Sequence, residues 1–326
     1  MNVSPQRLLA TGWSLHLPGL RLGTALADHL GEPRGAWAHE DPPAPEAAAT
    51  LLGRKGLLYK EPATRLALCA VHRALGLQAR QRPGWPVAPE VAVVACSNLG
   101  NVETVAQVTR TVATEGGRGV SVLDAPNVSS NVVASTVALW FGFGGPNLMV
   151  CSGATAGLDG VRLAGLLLRA RRAERVVLVG AEPADEVATA LHAEGGSGRP
   201  LRAGAACVVL EAWHPEGGVP AGQDPEGGVP AGRDPEGGVP AGRALVELVP
   251  EAGPWPRPPR VTIGRDGFDP AAHWGDCYGA EGVVALALAA HLAADEGHGV
   301  VGVRCEGEDG SRAALVSSAE SAVVGR

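Results

Sequence analysis

The chain has 326 residues, of which 45% are hydrophobic and 19% charged, enough apolar side chain to bury a sizeable core. The net charge of -7 argues against nucleic acid as the main partner, and no apolar run reaches the length of a membrane span. Aromatic residues are only 4%, against 46 glycines and 26 prolines, so small side chains dominate the packing. The six cysteines, Cys69, Cys96, Cys151, Cys207, Cys277 and Cys305, show no CxxC and no Cys/His metal spacing. Most sit in apolar runs, where cysteine acts as a small hydrophobe. Reduced thiols in a cytoplasmic protein are expected. The opening MNVSPQRLLATGWSLHLPGL has no long apolar core, so a signal peptide is not expected.

Residues 7–13 read as a short first strand, and residues 38–50, rich in Ala, Pro and acid, as loop. The pattern of EPATRLALCAVHRALG predicts a helix over 61–76, with Gly76 as its stop. VAVVACS at 91–97 is suited to a buried strand. NVETVAQVTRTVA is a helix or an extended connector. A helix over 131–141, a turn at Gly144–Pro146, a strand over 148–152 and a helix over 156–171 follow. Further strands are predicted at 175–181 and 203–213. Strands alternating with helices imply an α/β protein with a mostly parallel, covered sheet.

Residues 215–243 break this pattern. PEGGVPAGQD, PEGGVPAGRD and PEGGVPAGR repeat every ten residues. Pro and Gly at that density cannot form a helix or a central strand. Too few apolar side chains are present to offset the ordering entropy, so a disordered or extended surface insert is expected over 214–243. Beyond it, ALVELVP and RVTIGRD read as strands and GAEGVVALALAAHLAADEG as a helix. VVGVRCEGEDGSRAALVSS reads as a closing hairpin.

The order of these segments resembles the β-ketoacyl synthases of fatty-acid and type II polyketide systems. ATGWSLHLPG resembles the opening strand and turn of that family, and FGFGGPNLMV the turn and strand that lead to its nucleophile. SGATAGLDGVRLAGLLLRARRAERVVLVGAE resembles the nucleophile helix and the next strand. GDCYGAEGVVALALAAHLA resembles the later Gly-rich helix, and GEDGSRAALV the closing loop. The resemblance implies a thiolase-like five-layer αβαβα sandwich of two related halves. Residues 1–213 would be the first half and 244–326 a shortened, truncated second half.

A ketosynthase needs a thiol at a helix N-terminus, where the backbone N–H groups favour thiolate and hold an oxyanion. It also needs two histidines that act on a malonyl thioester. The resemblance places Ala154 at the nucleophile, and alanine has no nucleophilic atom. It places Asp276 at the second histidine and Ala271 at a nearby lysine. In the closing loop Glu308 replaces the gating Phe, and Arg312 an Asn. The first histidine motif has no counterpart in TIGRDGFDP. Cys151 is a displaced candidate nucleophile, but it is expected on a strand, where cysteine packs. His273 is a candidate inward histidine, but a loop histidine is usually exposed. Ser152 and Thr155 flank the position with no His or acid partner visible for a triad, and Asp159 is expected to support its helix.

Such a fold without its catalytic residues resembles the chain-length factor, the ketosynthase β subunit of type II polyketide synthases. That resemblance implies a heterodimer with an active ketosynthase α subunit and contact with an acyl carrier protein through the complex. A reducing, polyene-making pathway is one setting that fits. It also implies that Val102, Val105 and Thr109 line a chain-length tunnel at the dimer interface. No metal and no cofactor are implied. Chain-length factors usually carry Gln where this chain has Ala154, and they are usually longer. Two other readings stand beside this one. One is a stand-alone scaffold that binds acyl groups or a carrier protein; the other is an acyltransferase or hydrolase using a residue such as Cys151.

Overall fold

The computed structural model describes residues 7–30, 42–83, 86–214, 242–251, 254–295, 297–307 and 310–320. In chain order the elements are β1 (Arg7–His16), α1 (Leu22–Leu30), α2 (Ala49–Leu52), α3 (Pro62–Ala74), β2 (Val91–Cys96), α4 (Val102–Glu115), α5 (Val132–Phe141), β3 (Asn147–Val150) and α6 (Ala156–Arg169). They continue with β4 (Arg175–Glu182), α7 (Glu186–Glu194), β5 (Gly204–Ala212), β6 (Ala244–Val249), β7 (Val261–Ile263), α8 (Pro270–Trp274), α9 (Glu281–Ala294), β8 (Val301–Gly307) and β9 (Gly310–Ser318). The repeat-bearing insert lies outside the described residues, apart from its ends.

The nine strands among the described residues join one mixed sheet in the order β3-β2-β4-β5-β1-β6-β9-β8-β7. The seam is β1. Its first residues, Arg7–Ala10, pair with β6, and the strand pairs with β5 from Leu8 to His16. A bulge between Ala10 and Gly12 shifts the register there. A bulge bends a strand and increases its twist, so one strand serves two limbs of the sheet.

Apart from its edge strand β3, the first limb is buried on both faces, which its near-continuous apolar strands require. Val91, Val93 and Ala95 face one core with α3 and α5; Ala92, Val94 and Cys96 face the other, with α6 and α9. The same alternation runs through β4 and β5. The helix α9 is apolar around its whole circumference, with twelve of its fourteen residues buried. It packs against β1, β4 and β5 of the first limb and β6, β8 and β9 of the second. The layers are thus α3 and α5, the first limb, α6 and α9, then the second limb. On β8, Val301, Val303 and Cys305 turn inward to α9; Gly302 and Arg304 turn outward, beneath Pro259 and the Trp255 ring. The α/β, thiolase-like ketosynthase fold expected from the sequence is therefore present.

The sheet is not mostly parallel, as the alternation of strands and helices suggested: three of its pairings among the described residues are parallel and five antiparallel. Local readings differ as well. The stretch read as loop at 38–50 contains a 3-10 turn, Pro45–Ala47, and begins α2; Pro at the first helical position and good helix formers after it account for this. Residues 38–41 lie outside the described residues. The helices α1 and α7 were not predicted. The segment of Val102, read as a helix or an extended connector, is a helix, and it is largely solvent-facing.

The two central helices cross at their N-termini on glycine. A Cβ on Gly157 would lie 2.3 Å from the backbone carbon of Gly282 and 2.4 Å from Val283 N. No real Cβ tolerates backbone that close, so the helices would have to separate. Gly157→Ala is expected to cost about 1–3 kcal/mol, read as a lower urea midpoint. Gly117→Ala, whose Cβ meets nothing within 4 Å, should leave the midpoint unchanged and serves as the control.

Candidate functional site

The chain leaves β3 at Val150, where its pairing with Cys96 ends, and turns through Cys151, Ser152 and a 3-10 turn, Gly153–Thr155, into α6. Gly153 has φ 59°, a left-handed conformation that glycine adopts freely. Its N–H donates to Asn98 Oδ1 at 3.1 Å. Ala154 follows, a bare methyl at the start of the helix. The turn is clamped by Asp159. Ser152 Oγ and Thr155 Oγ1 donate to Asp159 Oδ2 at 2.7 and 2.9 Å, and Arg312 Nε reaches Oδ1 at 2.7 Å. Burial works against ionisation of Asp159, but the bonds from Ser152, Arg312 and Thr155 outweigh it and hold the carboxyl below its ordinary range. The expected supporting role of Asp159 is thus visible, and its partner Arg312 comes from β9, also packed by Glu251 at 2.9 Å.

Ala154 lines a cleft of about 600 Å³. Its opposite wall carries Asp276, which the sequence singled out, and His192, which it did not. Asp276 Oδ2 accepts from His192 Nε2 at 3.1 Å and from Ser197 Oγ at 3.0 Å, while Oδ1 accepts from the backbone N–H of Tyr278 at 2.7 Å. The backbone of Asp276 is pinned as well. Its N–H donates to Pro200 O at 2.9 Å, and its carbonyl accepts from Arg202 N at 2.8 Å. Tyr278 bridges the walls: its ring meets His192 edge-on at 5.3 Å, and it lies within reach of Gly153. Tyr278 also holds φ 39°, a strained conformation for a non-glycine residue. Ser197 and His192 both donate to one carboxylate, so they do not form a Ser–His–Asp relay.

Two further carboxyls adjoin these walls, Glu182 buried and Glu281 half-buried in the cleft lining. Glu182, at the end of β4, accepts from Ser97 Oγ at 3.0 Å, Asn98 N at 2.6 Å and Leu99 N at 3.0 Å. Burial outweighs these donors and lifts its pKa to about 7. Burial, then the nearby Asp276 and Asp269 charges, lifts Glu281 to about 8, and its Oε2 is buried with no hydrogen-bond partner.

The structure separates the remaining candidates. Cys151 is exposed just past the end of β3, so the expectation of a packed strand thiol is corrected. Burial of the Sγ, and then the charge of Glu182, raise its pKa, which leaves the thiol protonated and poorly nucleophilic. The other five cysteines are buried. His273 is exposed on α8, stacked on Phe268 at 5.2 Å and beside His29, and does not line the cleft. Ala271 is buried in the cleft wall. Glu308 lies outside the described residues. Val102 is half-buried and Val105 and Thr109 are exposed on α4, which packs against α7 and the turn at Ala125–Val128. These three do not line the cleft of Ala154 and Asp276. Among the described residues no cluster could hold a metal ion, and no helix is long and apolar enough to cross a membrane.

Residues 26–199, over half of the chain, match the β-ketoacyl synthase N-terminal domain, and the chain belongs to that family. No curated protein matches it in sequence. Among solved structures it is similar to the ishigamide ketosynthase/chain length factor, with a TM-score of 0.63 and 20% identity over 95% of this chain and 98% of that chain. It is also similar to a type II PKS acyl-carrier protein in complex with its ketosynthase bound to the hexaketide (AntDE:AntF), with a TM-score of 0.64 and 15% identity over 97% and 99%. The ketosynthase from module 6 of the bacillaene synthase of Bacillus subtilis 168 matches at 0.55 and 13%, over 95% of this chain and 70% of that one. Likeness at these identities establishes the fold.

Two measurements test the electrostatics. Glu182 and Glu281 have folded pKa values above their ordinary 4.5, so the folded state holds extra protons between about pH 4.5 and pH 7–8. Their stabilising contribution is complete below that window and is lost as pH rises through it. The melting temperature should fall from pH 5.5 to 8.5, and Glu281→Gln should flatten the slope; an unchanged slope would refute the assignment. Iodoacetamide should alkylate Cys151 more slowly at pH 7.5 than it does free cysteine, and mass spectrometry of the labelled peptide reads the difference.

Proposed function

We propose that this chain is a non-condensing, chain-length-factor-like subunit that pairs with an active ketosynthase in a type II polyketide synthase. The observation that carries the pairing is the open edge of β3. Among the described residues β3 pairs only with β2, and Leu148, Met149 and Val150 are incompletely covered. A bare edge strand in an apolar sheet is a template for another chain, and isolated proteins normally protect it. The helices on either side of it, α5 and α6, carry exposed Leu139 (85%) and Leu166 (48%). Val105, Val112, Val122, Leu123 and Val128 extend the exposed apolar surface along α4 and the segment after it. Exposed apolar side chains gathered at an open sheet edge mark an interaction surface.

Ala154 supplies the rest of the reading. With a methyl at the start of α6, position 154 cannot carry an acyl group, so condensation would fall to the partner. On this reading α4 faces the partner, with Val105 and Thr109 turned toward the shared acyl tunnel and Val102 at its base. An acyl carrier protein would engage the complex and not this chain alone. The structural likeness to a ketosynthase/chain length factor supports this assignment.

Co-expression with the active ketosynthase of the same pathway, followed by size-exclusion chromatography with mass determination, should give a one-to-one complex. Leu139→Arg with Leu166→Arg should abolish it while the monomer keeps its circular dichroism. A stable monomer or homodimer that ignores the ketosynthase would overturn the proposal.

A further inference from the structure

We propose that the cleft hydrolyses acyl thioesters, with His192 as general base and Asp276 as the residue that positions it. This goes beyond a passive partner subunit. The choice of a thioester rests on that reading, because it is the reading that brings a carrier-borne acyl chain to the cleft.

The geometry fixes the tautomer. A carboxylate only accepts hydrogen bonds, so the contact from His192 Nε2 to Asp276 places the hydrogen on Nε2 and the lone pair on Nδ1. His192 lines the cleft, and its Nδ1 has no hydrogen-bond partner among the described residues. The imidazole cannot drift, since its side chain is only 2% exposed and it lies against the Tyr278 ring. Asp276 cannot drift either, being held by Ser197, by Tyr278 N–H and through its own backbone. A rigidly oriented imidazole with a free lone pair in a solvent-sized cleft is what activation of water needs.

The step balances without any further reagent. Water attacks the thioester carbonyl carbon while Nδ1 takes its proton. The C–S bond then breaks, and the imidazolium returns that proton to the departing sulfur. The products are a carboxylic acid and a thiol. Glu281 also lines the cleft and can assist. Burial raises its pKa to about 8, so at neutral pH it lines the cleft as a protonated carboxyl able to donate to a developing oxyanion. Two competing nucleophiles are weaker. Ser197 has no base, as it donates to the same carboxylate oxygen as His192. The Cys151 thiol is held protonated.

The test uses the full chain carrying Cys151→Ser, which removes the exposed thiol from both the chemistry and the readout. The S-butyryl thioester of N-acetylcysteamine is the probe, and released thiol is followed with a chromogenic disulfide. Turnover is expected. His192→Gln and His192→Ala should each lower kcat roughly 10²-fold or more. Added imidazole should restore part of the rate in His192→Ala but not in His192→Gln, which a purely structural role would not produce. Asp276→Asn should lower kcat and leave KM unchanged, and it carries the test if the His192 variants do not fold. Thiol release no faster than in buffer, or a His192→Gln rate equal to the parent, would overturn the proposal. Chromatography of the same sample with the ketosynthase separates the two ideas. A complex without hydrolysis removes only this inference, and hydrolysis without a complex removes only the partner-subunit reading.

Discussion

The two walls of the cleft are tied together by the buried Glu182 carboxyl. It closes β4 and gathers donors from the loop that leaves β2: Ser97 Oγ, Asn98 N and Leu99 N. A backbone hydrogen bond from Gly279 adds the turn that begins α9. Three chain segments far apart in sequence thus meet on one group. Asn98, fixed in this way, passes the constraint on, since its Nδ2 bonds Cys151 O at 3.2 Å and its Oδ1 accepts from Gly153 N. The wall that holds Ala154 and the wall that holds Tyr278 are therefore positioned by one side chain. Burying a carboxyl without partners costs several kcal/mol, and the donors around Glu182 offset that cost only while the segments stay together.

Glycine makes the convergence sterically possible. A Cβ on Gly279 would sit 2.5 Å from Glu182 Oε1 and 2.8 Å from Asn98 Oδ1. A Cβ on Gly180 would meet Ala280 Cα at 2.9 Å, and Gly157 and Gly282 let α6 and α9 touch through their backbones. The low aromatic and high glycine content thus has a local meaning here. At the cleft, small residues permit backbone-to-backbone contact, and the polar groups between them are then shielded from water, where their hydrogen bonds are strongest.

The sequence made the framework legible because period and burial are local properties. The runs VAVVAC and RVVLVG are apolar on both strand faces, and they are central strands. The uniformly apolar pattern of 281–294 predicts a helix, and α9 is buried between two sheet limbs. The place of Ala154 between a strand and a helix was legible too. The pairings that define the cleft were not. His192 and Asp276 are 84 positions apart, and Asp159 and Arg312 are 153 apart. Nothing in EVATALHAE marks its histidine as a partner of a distant aspartate. Cys151 misled for a related reason: its apolar neighbours suggest burial, but the strand stops one residue earlier, and a sheet edge is a tertiary fact.

The condition of the cleft bears on the proposal that this ketosynthase fold works without a nucleophile at position 154. A site under no constraint can fill with apolar side chains, and replacing buried charges by well-packed apolar groups is often neutral or stabilising. This cleft has not taken that course. It keeps a buried His–Asp pair, a carboxyl whose Oε2 finds no partner, and a tyrosine at positive φ. An unsatisfied buried polar atom costs about 1–3 kcal/mol and a strained residue about as much. These costs fall on neighbouring residues from α7, the turn before α9 and α9 itself, all facing the same space. Groups that destabilise the fold together, in one cleft large enough for a ligand, are what a binding or reacting site looks like in energetic terms. On the proposed reading, a chain with alanine at position 154 gives up condensation without turning the pocket into core.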